Sequence, residues 1–381
     1  MENIMNRFSL KPDIIFGEDA VAVLETFKEE RVMVIADPFI IDSGMIDHVK
    51  KHLTGCKIFV FSDVVPDPPM EKIASGIVAL NEFNPTVLIA CGGGSAIDSA
   101  KGIYHYSDSG KRRFIAIPTT SGTGSEVTKF AVFTDTALGQ KYPVVSDKMI
   151  PDMAIIDVDF VKTVPGKVAA DTGFDVLTHA VEAYVSTSAT VITDAMAEKA
   201  AALVFTYLKR SCENCDDLEA REKMHEASLL AGIAFNEASL GLNHAIAHNL
   251  GGRLHIPHGR INAMLLCPVI WFNANITGYG REQYTKAAVK YAKLAKICGI
   301  SASTTRQQVR GFMEKIYKLM RDLKMPVELK QAGIQENQIR KIETEAVRGA
   351  LADACLKTNP RTVNENQIKE IIQKLSEYER K

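Results

Sequence analysis

The stretch TVLIACGGGSAIDSAKGI (residues 86–103) decides the fold. It reads as an apolar run rich in β-branched residues, a turn of three glycines and a serine, and then a helical pattern. Gly92, Gly93 and Gly94 let the backbone come close to a bound group. The following helix turns unpaired N–H groups and a partial positive charge toward an anion. A pyrophosphate suits that loop, while a tight strand-to-helix turn without a ligand is the plainer reading of the glycines alone.

Working outward, RVMVIAD (31–37), KIFVFSD (57–63) and RFIAIPTT (113–120) are apolar runs of the same kind, as buried parallel strands require. MEKIASGIVALNEF (70–83), closed by Pro85, fits a crossover helix. An open α/β sheet follows. A second polar loop, IPTTSGTGSE (117–126), offers the hydroxyls of Thr119, Thr120, Ser121 and Thr123 at another strand end. Two such loops favour a nucleotide over a lone phosphate.

Asp37 ends the strand RVMVIAD, where a carboxylate accepts from an adenosine ribose 2′-OH and repels a 2′-phosphate, so NAD is favoured over NADP. Locally, Asp37 reads equally well as the start of the turn DPF. The acid precedes the glycine loop, whereas the usual dinucleotide fingerprint sets it about 20 residues after. The sheet is therefore not the ordinary Rossmann arrangement.

Past DVDFVKTVPGK (157–167) the strand signal ends, and helical patterns run over 189–210, 218–235, 306–325, 339–355 and 364–381. The expectation is two abutting domains, an α/β nucleotide-binding domain over 1–162 and an all-helical domain over 163–381, with a ligand cleft between them. At 381 residues the chain is long enough for two such cores. Lys plus Arg number 45 and Asp plus Glu 46, so no electrostatic footprint favours nucleic acid or an anionic membrane, and a small molecule is the expected partner. No signal peptide or apolar span is visible, which predicts a cytoplasmic protein. Seven scattered cysteines read as reduced thiols, and Cys212 and Cys215 form a C-x-x-C with no second pair to complete a zinc site.

GLNHAIAHNLGGRLHIPHG (241–259) packs four of the nine histidines into one segment. His244 and His248 are four apart and share a helical face, as do Asp175 and His179 in GFDVLTHAVEAY (173–184). Pro257 ends the second pattern just before His258, which can return toward the same point. Imidazoles with one carboxylate suit Zn²⁺ or Fe²⁺, whereas Mg²⁺ and Ca²⁺ prefer oxygen shells. Spacing does not say which three histidines ligate.

Five motifs, GGGSAIDSAK (92–101), PTTSGTGSE (118–126), GFDVLTHAVEAY, GLNHAIAHNLGGRLHIPHGRINAMLL (241–266) and the C-terminal NPR, make the chain resemble the iron-containing (group III) alcohol dehydrogenases from end to end. Within that family it is most similar to the propanol and ethanol dehydrogenases of bacterial microcompartments. The resemblance implies a dehydroquinate synthase-like architecture, with NAD(H) on the α/β domain and Fe²⁺ or Zn²⁺ on the helical one. The ligands would be Asp175, His179, His244 and His258, with His248 facing the nicotinamide as a proton relay and His255 a bystander. Asp37 would hold the ribose, and Gly93, Gly94 and Ser95 the pyrophosphate. Asp98 and Lys101 match the family's acid and lysine, with Asp98 toward the nicotinamide end. Thr119, Thr120 and Thr123 would line the cofactor groove, Lys141 would lie near the nicotinamide ribose, and Phe160 would pack at the hinge.

Phe130, Phe235 and Cys355 would border the substrate. Phe130 stands where a lactaldehyde-reducing relative has asparagine, which favours a plain alkyl aldehyde. The reaction implied is interconversion of propionaldehyde or acetaldehyde with the primary alcohol. Lactaldehyde/1,2-propanediol or 1,3-propanediol oxidoreduction is the alternative, and a dehydroquinate synthase-like lyase a more distant one. The resemblance also implies a homodimer, with the N-terminal strand as a candidate for exchange, and raises a microcompartment, its enzymes or its shell, as a setting beside the free cytoplasm.

Overall fold

The computed structural model of the chain describes residues 7–107, 110–136, 140–276 and 284–375, the side chains of residues 140 and 141 excepted. It divides into two compact units, Met1–Val164 and Pro165–Lys381.

In the first unit the strands are β1 (Asp13–Phe16), β2 (Arg31–Ala36), β3 (Lys57–Phe61), β4 (Val87–Gly92), β5 (Arg113–Pro118), β6 (Phe130–Asp135), β7 (Gln140–Val145) and β8 (Met153–Ile156). Six of them form one sheet in the order β1-β8-β5-β4-β2-β3. Every pairing in it is parallel. Successive side chains of a strand point to opposite faces, and both faces here are apolar. Val32, Val34 and Ala36 of β2, Val87, Ile89 and Cys91 of β4, and Ile115 and Ile117 of β5 enter one core. The alternate residues Met33, Ile35, Leu88, Ala90, Phe114 and Ala116 enter the other. That explains the unbroken apolar runs in the sequence: neither face of these strands meets water.

Helices α1 (Pro38–Asp42), α2 (Met45–Lys50), α3 (Met70–Phe83) and α4 (Gly94–Tyr106) accompany the sheet. Ile46 and Val49 of α2 seal the first face, and Ala96, Ile97, Ala100 and Ile103 of α4 seal the second. Asn84 ends α3 in the left-handed region, its N–H donating to the Leu80 carbonyl at 2.7 Å, immediately before Pro85. The β6–β7 pair is antiparallel and was not expected. Its Ala131 and Phe133 join the α4 core.

The second unit is helical throughout its described residues: α5 (Gly166–Val185), α6 (Val191–Glu213), α7 (Leu218–Ala238), α8 (Leu242–Leu254), α9 (His258–Ala274), α10 (Lys286–Ile297), α11 (Thr305–Asp322), α12 (Glu336–Ala352) and α13 (Glu365–Lys374). Every residue of α5 from Gly173 to Val185 is buried, as a helix at the centre of a bundle must be. The C-terminal NPR segment is structural. Asn359 accepts from the backbone N–H of Leu242 at 3.1 Å, and Arg361 donates to the Phe272 carbonyl at 2.6 Å, so one turn fixes the start of α8 and the end of α9. Among the described residues no helix is long and apolar enough to cross a membrane.

Candidate metal centre and nucleotide loops

Asp175 and His179 lie one turn apart on α5, His244 is the third residue of α8, and His258 is the first residue of α9. Oδ1 of Asp175 lies 3.6 Å from Nε2 of His244, 3.6 Å from Nε2 of His258 and 4.0 Å from Nε2 of His179. These separations are too long for hydrogen bonds. Tetrahedral ligand atoms, each about 2.1 Å from one ion, lie about 3.4 Å apart, so the spacing of Asp175 from His244 and His258 suits a transition-metal ion, while His179 stands at the looser end of the set. The ligand atoms of Asp175, His244 and His258 also meet one another within 4.8 Å. The imidazole rings of His179 and His244 stack at 4.6 Å.

Local sequence explains the convergence. Pro257 at the N-cap starts α9 on His258. Gly259 is obligatory: a Cβ there would stand 1.9 Å from the Asp171 carbonyl oxygen, so only glycine lets α9 touch α5. Arg260 then pairs in fork geometry with Asp171 at 3.0 and 2.7 Å and locks the two helices.

Three residues that the sequence reading passed over complete the centre. Glu182 stands 2.5 Å from Nδ1 of His244 and accepts from the Asn243 backbone N–H at 2.7 Å. With Nδ1–H turned to a carboxylate, Nε2 of His244 presents its lone pair inward, the tautomer a ligand needs. Asn262 donates to Asp175 at 2.7 Å and stands 3.1 Å from Nε2 of both His244 and His258. Asp353 lies 2.9 Å from Nδ1 of His248. Glu182 follows Asp175 by seven and His179 by three, a spacing that could have marked it as a member of the same face.

Within the cluster, carboxylate and imidazole favour each other's charged forms. Burial pushes the Asp175 carboxyl up, but the imidazoles of His179, His258 and His244 outweigh it and hold the carboxyl well below the usual range. Burial likewise pulls the His244 imidazole down, and Glu182 with Asp175 reverses this and pushes it up to about 9.

Around the centre, Phe235 is buried and stacks on His179 at 4.5 Å. His248 stacks on His258 at 5.4 Å. Cys355 is half-buried beside Asp353, and burial together with that carboxylate pushes its thiol well above its ordinary range. His255 is the exposed C-cap of α8, in the left-handed conformation.

In the first unit, Ala36 of β2 is level with Cys91 of β4, so Asp37 and Gly92 leave neighbouring strands side by side. Asp37 caps α1, Oδ1 accepting from the Ile40 N–H at 3.1 Å. Oδ2 lies 3.3 Å from where a Cβ on Gly92 would be. The turn role and a place beside the glycines thus coexist. Gly93 is the N-cap of α4 and Ser95 its second residue. The Thr119 N–H donates to the Gly92 carbonyl at 3.0 Å. A Cβ on Gly94 would stand 2.7 Å from Thr123, and one on Gly93 would stand 3.4 Å from Thr120. The two polar loops are in contact.

Other expected residues have structural work. Asp98 accepts from the Ser125 hydroxyl at 2.7 Å and the Val132 N–H at 3.0 Å, tying α4 to the second loop and to β6. Lys101 is fully buried and donates to the Phe130 carbonyl at 2.7 Å and the Thr128 hydroxyl at 3.2 Å. Burial pulls its ammonium down to about 8. Phe130 opens β6 and is half-buried. Phe160, expected at a hinge against the cofactor, is 1% exposed and belongs to the apolar core under the sheet, tilted against His48 at 5.3 Å. Lys141 lies on β7 opposite Thr134, and its side chain is outside the described residues.

Residues 11–158 match the family model "Iron-containing alcohol dehydrogenase" and residues 169–376 the model "Fe-containing alcohol dehydrogenase family, C-terminal". The chain is 43% identical to the 1-propanol dehydrogenase PduQ of Salmonella typhimurium, over 97% of this chain and 100% of that one. Among solved structures it is similar to a 1,3-propanediol oxidoreductase, with TM-score 0.88 and 31% identity over 97% of this chain and all of that one. It is also similar to the sulfoacetaldehyde reductase of Bifidobacterium kashiwanohense in complex with NAD+, with TM-score 0.85 and 28% identity over 99% of this chain and 100% of the other.

Proposed function

The chain belongs to the iron-containing alcohol dehydrogenase family, and on that premise we propose that it interconverts a short-chain aldehyde and its primary alcohol with NADH and NAD, propionaldehyde being the first substrate to test. The observation that carries the reading is the placing of three imidazole nitrogens, of His244, His258 and His179, at 3.6 to 4.0 Å from one Asp175 oxygen. When bound there, a ferrous or zinc ion polarises the carbonyl as a Lewis acid, and the reduced nicotinamide supplies the hydride.

The chain's own residues do the rest. Asp175, His179, His244 and His258 hold the ion, with Glu182 and Asn262 orienting them. The N–H groups of Gly93, Gly94 and Ser95 at the start of α4 receive the pyrophosphate, the hydroxyls of Thr119, Thr120 and Thr123 line the groove, and Asp37 accepts from the ribose. Phe235 and Cys355 wall the substrate with apolar surface, which favours an alkyl aldehyde over a phosphorylated or carboxylated one. His248 exchanges the proton of the alcohol hydroxyl at Nε2.

The test is spectrophotometric. Protein loaded with ferrous iron under reductant, or with zinc, should consume NADH on addition of propionaldehyde or acetaldehyde, and His258→Ala should lose both metal and turnover. Absence of NADH consumption with either metal, or full activity of the variant at full metal content, sinks the reading. The proposal extends to a homodimer, checked by light scattering, and to a microcompartment setting, checked by co-fractionation with shell proteins.

A further inference from the structure

His244 and His248 follow each other by one turn on α8, and each directs its Nδ1 at a carboxylate: the buried Glu182 at 2.5 Å for the first, the half-buried Asp353 at 2.9 Å for the second. For His244 the purpose is plain, since the carboxylate fixes the ring so that Nε2 ligates. His248 is not needed to complete the ligand set, yet it carries the same device. Asp353 is itself rigidly placed. It stands at the junction of α12 with the short helix Ala354–Thr358, and its Oδ1 accepts the Cys355 backbone N–H at 2.9 Å, leaving Oδ2 to meet the imidazole. Its side chain is 11% exposed. The imidazole is confined as well, one face stacked on His258 and the ring set edge-on to His244 at 5.7 Å.

We propose that Asp353 is a positioning residue for the aldehyde–alcohol reaction, holding the His248 ring in one tautomer and one orientation so that Nε2 meets the substrate oxygen. A carboxylate bound to Nδ1–H leaves Nε2 as the acceptor atom, and a ring that cannot turn over does not present the wrong nitrogen. The proton that leaves the alcohol forms a bond to Nε2, and in the reverse direction that N–H bond breaks toward the product oxygen. Nδ1 keeps its proton in both directions. This rests on the proposed function, since it presupposes that His248 meets substrate.

The experiment compares Asp353→Asn, His248→Ala and the double variant as full-length, metal-loaded protein at one pH. Asparagine keeps an acceptor for the Cys355 N–H, and so keeps the local fold, but not the charge opposite the imidazole. The expected result is a kcat lower by about 10- to 100-fold with KM for aldehyde and metal stoichiometry unchanged, and no further loss when the substitution is added to His248→Ala. Asp353→Ser, whose hydroxyl also caps a helix start, should behave alike and serves if the asparagine variant misfolds. A kcat equal to wild type, or an equal loss in the His248→Ala background, overturns the inference while wild-type activity stands. An inactive wild type overturns the functional reading and this inference with it.

Discussion

Glu182 of α5 reaches across to Nδ1 of His244 at 2.5 Å while its second oxygen holds the Asn243 N–H at 2.7 Å. One buried carboxylate therefore fixes both the backbone that begins α8 and the ring that begins the metal site. Replacing Glu182 by Gln should weaken metal affinity about 10- to 100-fold, because the ring loses its orienting charge and some of its basicity. Competition against a calibrated chelator measures this, with circular dichroism as the control. An affinity equal to wild type would contradict the assigned role.

Gly259 sets the approach of α9 to α5, since any Cβ there would overlap the Asp171 carbonyl. Gly259→Ala should cost about 3 kcal/mol, the upper range for overpacking a tight contact. Melting should then fall by roughly 6–12 °C for a unit of this size. Metal content should fall with it, because His258 is the neighbouring residue. A variant that melts like wild type and keeps its metal would show that the helices have slack the structure does not suggest.

Asp37 stands beside the glycine loop with one oxygen committed to α1 and the other turned toward Gly92. Asp37→Ser should raise KM for NADH about tenfold, as expected for a lost charged hydrogen bond of about 1.5 kcal/mol. It should also relieve repulsion of a 2′-phosphate, so NADPH becomes a better substrate. Parallel initial-rate series with the two cofactors decide the point, and an unchanged preference refutes it.

His225 on α7 is 1% exposed, and burial alone pushes its imidazole down to about 4 from an ordinary 6.5. Between those values the unfolded chain binds a proton that the folded chain refuses. Stability from this group is therefore complete above pH 6.5 and is lost as pH falls toward 4, by about 3 kcal/mol in all. Denaturant midpoints taken between pH 7 and 4.5 should slope less steeply for His225→Gln than for wild type. Equal slopes would remove His225 as a source of acid lability.

The helical half shows why some of the site was legible and some was not. Asp175 and His179 declare themselves because both lie on one face of a single helix, a property local spacing carries. Glu182 lies on the same face but reads as an ordinary solvated acid until α8 packs over it. Asp353 is 105 residues from His248, so no window of sequence connects them. In the sheet half, β2, β4 and β5 were legible because burial on both faces leaves uninterrupted apolar runs. β6 and β7 were missed because Thr134, Asp135, Gln140, Lys141 and Pro143 dilute the alternation. Phe160 is buried in the core beneath the sheet, a placement that family position alone does not specify.

The strand order makes adjacency independent of distance along the chain. β3 takes the outer edge, so β2 and β4 become neighbours, and the acid that leaves β2 meets the glycines that leave β4 whatever length of chain travels out to the edge and back. Insertions or deletions in the turns between β2 and β4 can accumulate without disturbing that meeting, as long as β3 and α3 keep their packing on the sheet. A search for nucleotide sites that demands a fixed interval between acid and glycines is blind to chains wired this way, whereas one that asks only which strand ends lie next to each other would find them.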